Sequence, residues 1–149
     1  MKIMRLLILT VLLVNLAACA VFSPTVEKPQ VTDPAKEAEI LKYAQPKAEA
    51  LIAALFGGTY ADFSKDLSPE MKSAMDEAAY TDLQTQLNEK VGEYKSAELE
   101  TVLEQDAYAV LVYALNFSSG SKVAMRVVVN NTEPHQVSGL WFDSPELRK

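Results

Sequence analysis

The hydrophobic period of the chain changes at Gly92, and that change limits its possible folds more than any other feature. Before it, apolar residues recur three and four apart. Leu41, Ala44, Ala48, Leu51, Ile52 and Leu55 make one stripe, and Leu83, Leu87 and Val91 make another. Such spacing covers one face of an α-helix. After it, the period is two. Residues 96–104 alternate, with Leu99, Thr101 and Leu103 on one face and Glu98, Glu100 and Glu104 on the other. Ala107 to Phe117 is apolar on both faces, which suits a central strand. Lys122–Val129 and Gln136–Phe142 read as a third and a fourth strand, set apart by Ser118-Ser119-Gly120-Ser121 and by a turn over Asn130–Pro134. Helices followed by hairpin-linked strands predict an α+β domain, with N-terminal helices packed on one face of a four-stranded antiparallel sheet.

Helix boundaries are marked by capping chemistry. Asp33-Pro34 pairs an N-cap acceptor with proline at the first helical position. Pro46 interrupts the stripe that follows, so the helix either kinks there or restarts with Pro46 in its first turn. Gly57-Gly58 ends it. Tyr60 and Phe63 then share one face of a short amphipathic turn, and Ser68-Pro69-Glu70 starts a further helix. Thr81-Asp82-Leu83-Gln84 has the form of a capping box and predicts the start of the last helix.

The first residues carry an address. Lys2 and Arg5 precede an apolar run from Leu6 to Val14, too short to span a bilayer, which needs roughly 20 apolar residues. A positive start, a short apolar middle and small residues at a cut are the marks of a secretory signal. Leu16-Ala17-Ala18-Cys19 resembles the bacterial lipobox, which implies lipid on the Cys19 sulfur and cleavage just before it. Several acyl chains anchor firmly, at about 0.8 kcal/mol per buried CH₂. Ordinary cleavage after Ala20 is the competing reading. Alanine after the lipidated cysteine implies the outer membrane, facing the periplasm, in a Gram-negative cell. The expected organisation is a lipoprotein signal peptide over 1–18, a lipidated tether over 19–33 with two prolines and no apolar period, and a folded domain over 34–149.

Loss of the signal leaves 131 residues, enough for one domain with a core. They carry 12 basic against 20 acidic residues, a balance of −8, which argues against nucleic acid as a partner. Cys19 is the only cysteine and His135 the only histidine, so neither an internal disulfide nor the usual zinc set is available. No cofactor or metal is expected. No G-x-S-x-G elbow or Gly-rich phosphate loop occurs.

Gly58-Thr59-Tyr60-Ala61-Asp62-Phe63 after an alanine-rich helix, then Val91-Gly92-Glu93-Tyr94-Lys95-Ser96, then Gly139-Leu140-Trp141-Phe142-Asp143-Ser144-Pro145 form an ordered set over about residues 36–145. This set resembles small secreted domains of the nuclear-transport-factor-2-like superfamily, within it a bacterial family of unknown function. The resemblance implies a cone, a strongly curved antiparallel sheet wrapped around helices with a cavity between them. Some relatives use that cavity for isomerase, dehydratase or cyclase chemistry; in others it is only core or a dimer face. Fold alone does not assign function.

Tyr60, Phe63, Tyr113 and Trp141 are the candidate pocket-lining residues, since aromatic side chains offer apolar area with a polar tip. An isomerase would need a carboxylate pointing into an apolar cavity. Asp106 and Asp143 fall at strand ends, and the glutamates of 96–104 line a polar face, so no catalytic residue is assigned. The expectation is a non-enzymatic, lipid-anchored envelope domain that binds a small apolar ligand or a protein partner, including a second copy as a homodimer. The alternative is a cone-pocket enzyme using Tyr60 or Tyr113. A spacer in an envelope assembly would instead show a filled core and a large exposed apolar sheet face.

Overall fold

The computed structural model describes residues 30–149. The signal-like segment, Cys19 and most of the expected tether lie outside the described residues. Four helices precede the main sheet: α1 (Pro34–Gly57), α2 (Tyr60–Ser64), α3 (Pro69–Ala74) and α4 (Glu77–Val91). The strands are β1 (Gln30–Val31), β2 (Tyr94–Gln105), β3 (Tyr108–Phe117), β4 (Lys122–Asn130) and β5 (Val137–Asp143). They form one antiparallel sheet in the order β1-β2-β3-β4-β5. The α+β class is as expected, but the described residues hold five strands rather than four. The additional strand is β1, two residues before the first helix that pair with Leu103 and Glu104 of β2.

Asp33 caps α1, its carboxylate accepting from the Ala35 and Lys36 amides. Pro46 lies inside the helix and does not restart it. Its ring faces solvent, so water can serve the Lys42 carbonyl that Pro46 leaves without a helical donor. The last helix begins earlier than the capping-box pattern predicts. Asp76 is the N-cap, accepting from the Ala79 amide, and Thr81 lies within the helix with its hydroxyl donating to the Glu77 carbonyl. A threonine inside a helix satisfies itself this way, so the Thr-x-x-Gln spacing had a second solution.

Gly92 ends α4 at φ 85°, a left-handed conformation that favours glycine. The β3–β4 hairpin docks there. Ser118 Oγ accepts from the Glu93 amide at 2.9 Å, and Ser119 Oγ donates to the Val91 carbonyl at 2.6 Å.

One sheet face meets the helices. Leu111, Leu115, Val123, Met125, Val127 and Val129 are fully buried against Ala44, Ala48, Leu51, Ile52 and Leu55 of α1 and Phe63 of α2. Besides a bulge at Lys95 at the start of β2, two irregularities decide which residues reach this face. Leu99 pairs with Tyr113 and Thr101 with Val112, so Glu100 is bulged out of register. Val128 pairs with Gly139 and Val129 with Val137, which bulges Ser138. The first bulge overturns the expected alternation in β2: Leu99, Val102 and Glu104 face the helices, whereas Thr101 and Leu103 face away. A bulge adds one residue to one strand and reverses every side chain beyond it.

Candidate groove on the outer sheet face

The register fixes the composition of the face turned away from the helices. One row across the sheet is Val31, Leu103, Val110, Val128 and Gly139. The next row toward one end is Thr101, Val112, Arg126 and Trp141; toward the other it is Gln105, Tyr108 and Asn130. The Trp141 indole lies over Gly139, filling the place a Gly139 side chain would take. The first row is thereby apolar over all five strands, about 19 Å at the usual strand spacing.

A groove of about 740 Å³ runs along these rows, lined by Leu103, Tyr108, Val110, Arg126, Val128 and Trp141, with Gln105, Asp106 and Ser138 supplying polar groups. That volume lies within the usual range of small-molecule sites, about 300–1,000 Å³. Trp141 is 56% exposed and Tyr108 39%, high values for such large side chains. A second groove of about 350 Å³ lies between α1, α4 and the start of β2. There Phe56 stacks on Tyr94 at 4.2 Å, and the Gln84 amide is already committed to the Leu55 carbonyl and the Tyr80 hydroxyl.

The four candidate pocket residues are not brought to one place. Tyr60 and Phe63 meet around Tyr80, with ring centroids 5.7 and 4.9 Å from it, and the Tyr60 hydroxyl donates to the Met75 carbonyl. Phe63 is buried core. Tyr113 lies on the helix-facing side of β3, 2% exposed, and its hydroxyl has no hydrogen-bond partner among the described residues. Burial, with a smaller contribution from the Glu49 carboxylate, pushes that hydroxyl up to about 12. Trp141 alone lies in the outer groove. Cys19 lies outside the described residues.

Acid–base partners for these tyrosines do not assemble among the described residues. His135 stacks on Tyr43 at 3.8 Å, and its Nδ1 sits 3.0 Å from the Asn130 carbonyl. The Tyr43 hydroxyl donates to Asn131 Oδ1, not to His135. The Tyr80 hydroxyl donates to the Ala54 carbonyl. Among the described residues no group of three or more His, Cys, Asp or Glu side chains is placed to hold a metal, and no helix is long and apolar enough to cross a membrane.

Sequence reasoning missed Arg126, Val110 and Val128, which line the groove with Tyr108 and Trp141. A signal for part of them was present, because apolar residues on both faces of 107–117 leave Val110 and Val112 facing away from the helices. A family model for proteins of unknown function, DUF3887, matches residues 48–135, more than half of the chain. No curated protein and no solved structure matches the chain.

Proposed function

The chain belongs to DUF3887, a family of proteins of unknown function, and we propose that it is a non-enzymatic binding protein of the cell envelope. Lipid on Cys19 holds it to a membrane, and the domain is a cone of the nuclear-transport-factor-2-like kind. The order of helices and meander supports that fold reading. The ligand is small and apolar, and it lies on the outer sheet face rather than between sheet and helices.

The observation that carries this reading is the exposed Trp141 indole, lying over Gly139 in a groove of ligand size that Val128 also lines. A half-exposed indole loses its remaining apolar contact with water when a ligand covers it, at about 25 cal/mol per Å². The inner face favours binding over catalysis, because among the described residues neither Tyr60 nor Tyr113 has an acid or base at hydrogen-bond distance. General acid–base chemistry needs such a partner.

Native mass spectrometry of the protein purified from envelopes is expected to show a co-purifying small molecule. An empty monomer overturns the reading. Trp141, Tyr108 and Arg126 are also the residue types that dominate protein interfaces, which favours a protein partner as the second reading. A dimer or a heteromeric complex in the same spectrum, with no small molecule, selects that one.

A further inference from the structure

We infer that the ligand of the outer groove is a single-chain amphiphile with a monoanionic carboxylate head, its anion held by Arg126 and its apolar body laid along Val110, Val128 and Trp141. The inference rests on the groove reading above and adds the head group.

Arg126 lines the groove between Val112 and Trp141, its cross-strand neighbours. Among the described residues its guanidinium takes part in no ion pair, although the chain as a whole carries an excess of acid, −6. The nearby acids explain why. Asp143 is the diagonal neighbour on β5, and Arg148 already holds it at 2.6 Å. Glu98 shares that row of the outer face but lies two strands away, across Ala114 and Ala124. Asp106 lines the far end of the groove, about 17 Å along the strands from Arg126.

A guanidinium offers several donors in a planar fork that matches a carboxylate. As the one cation among the described residues of a groove otherwise lined by apolar side chains and by Gln105, Ser138 and the distant Asp106, Arg126 calls for one anion. The adjoining row, from Gly139 beneath the Trp141 ring across Val128 and Val110 to Leu103, is about 14 Å long, room for an extended alkyl chain. Asp106 at the other end disfavours a second negative group there. An uncharged ligand of the same shape would cover Arg126 without replacing its water, which is costly for a charged donor.

Trp141 is the only tryptophan, so its emission reads the groove directly. The full chain in phosphatidylcholine nanodiscs is titrated with decanoate and with decanol, using empty nanodiscs as the blank for partitioning. Decanoate is expected to shift the emission saturably to shorter wavelength at about tenfold lower concentration than decanol, the size of one charge-assisted hydrogen bond. In Arg126→Gln both ligands still act, and the preference disappears. Equal potency in the unmodified chain overturns the carboxylate head and leaves the groove reading standing, whereas no shift with either ligand overturns the groove reading itself. A preference retained in Arg126→Gln overturns the role of Arg126. A shift on exchanging phosphatidylcholine for phosphatidylglycerol, with no decanoate present, assigns the groove to bilayer headgroups and also overturns the inference.

Discussion

The Trp141 indole covers Gly139, two residues before it on the same strand, and occupies the space that a β-carbon at 139 would need. Gly139 is buried for this reason, although it lies on the outer face of an otherwise open sheet. The missing side chain leaves room for the ring, which continues the apolar row onto the edge strand.

Gly139→Ala is therefore expected to lift the indole off the sheet. The emission of Trp141 should move to longer wavelength, and ligand-induced shifts should weaken. The cost in stability should be about 1 kcal/mol, the low end for overpacking, because the displaced ring moves into solvent. Unchanged emission in that variant would show that the ring has another way to stay down.

Tyr113→Phe should stabilise the fold. The hydroxyl is buried with no partner among the described residues, so removing it removes a desolvated polar group, worth about 1 kcal/mol. Urea unfolding at pH 7 tests the sign, and a lower midpoint would mean that the hydroxyl has an undetected partner.

The same variant carries a pH signature. With the Tyr113 hydroxyl pushed up to about 12 in the folded chain, the unfolded chain ionises first as pH rises past about 10. Between these values the unfolded state binds fewer protons, so stability falls with rising pH. Tyr113→Phe lacks that loss, and its advantage over the unmodified chain should widen from pH 10 to pH 12. Parallel stability curves across that range would refute the assignment to Tyr113.

Tyr80→Phe should act in the opposite sense. Its hydroxyl donates to the Ala54 carbonyl at 2.8 Å, near the end of α1, and accepts from the Gln84 side chain at 3.0 Å. The Gly58 amide already closes the helix on that carbonyl, so the hydroxyl adds a second bond to it and lies 3.2 Å from the Gly58 carbonyl, tying α4 to the end of α1. Its loss should cost about 1–2 kcal/mol in urea unfolding. One deleted oxygen thus stabilises at 113 and destabilises at 80; equal signs would refute the contrast.

Cys19→Ala tests the anchor. Cell fractionation should find the variant released from membranes in soluble form, or retained with its signal uncleaved. Membrane attachment and cleavage that do not change would refute lipidation at Cys19.

Much of the fold was legible because local rules decide it. The stripe from Leu41 to Leu55, the Asp33-Pro34 start and the stop at Gly92 follow from helical spacing and capping, which act within a few residues. The change to period two beyond Gly92 specifies the meander. The Thr81 pattern misled because capping and back-bonding within a helix use the same side chain, and only the preceding turn at Asp76 distinguishes them.

What the tertiary structure alone decided is which side each strand residue faces and where the aromatic side chains meet. The bulges at Glu100 and Ser138 leave no mark in a two-residue period, yet each reverses the side chains that follow. They send Leu103 outward and Val102 inward, and they set Gly139 beneath Trp141 in one row with Val128. The four aromatic candidates were visible as residues but not as neighbours. Tyr60 and Phe63 gather at Tyr80, Tyr113 lies beneath α1, and Trp141 stands on the other face. Periodicity is a local property of one segment; a groove built from four strands depends on their register, and register is settled only when the strands pair.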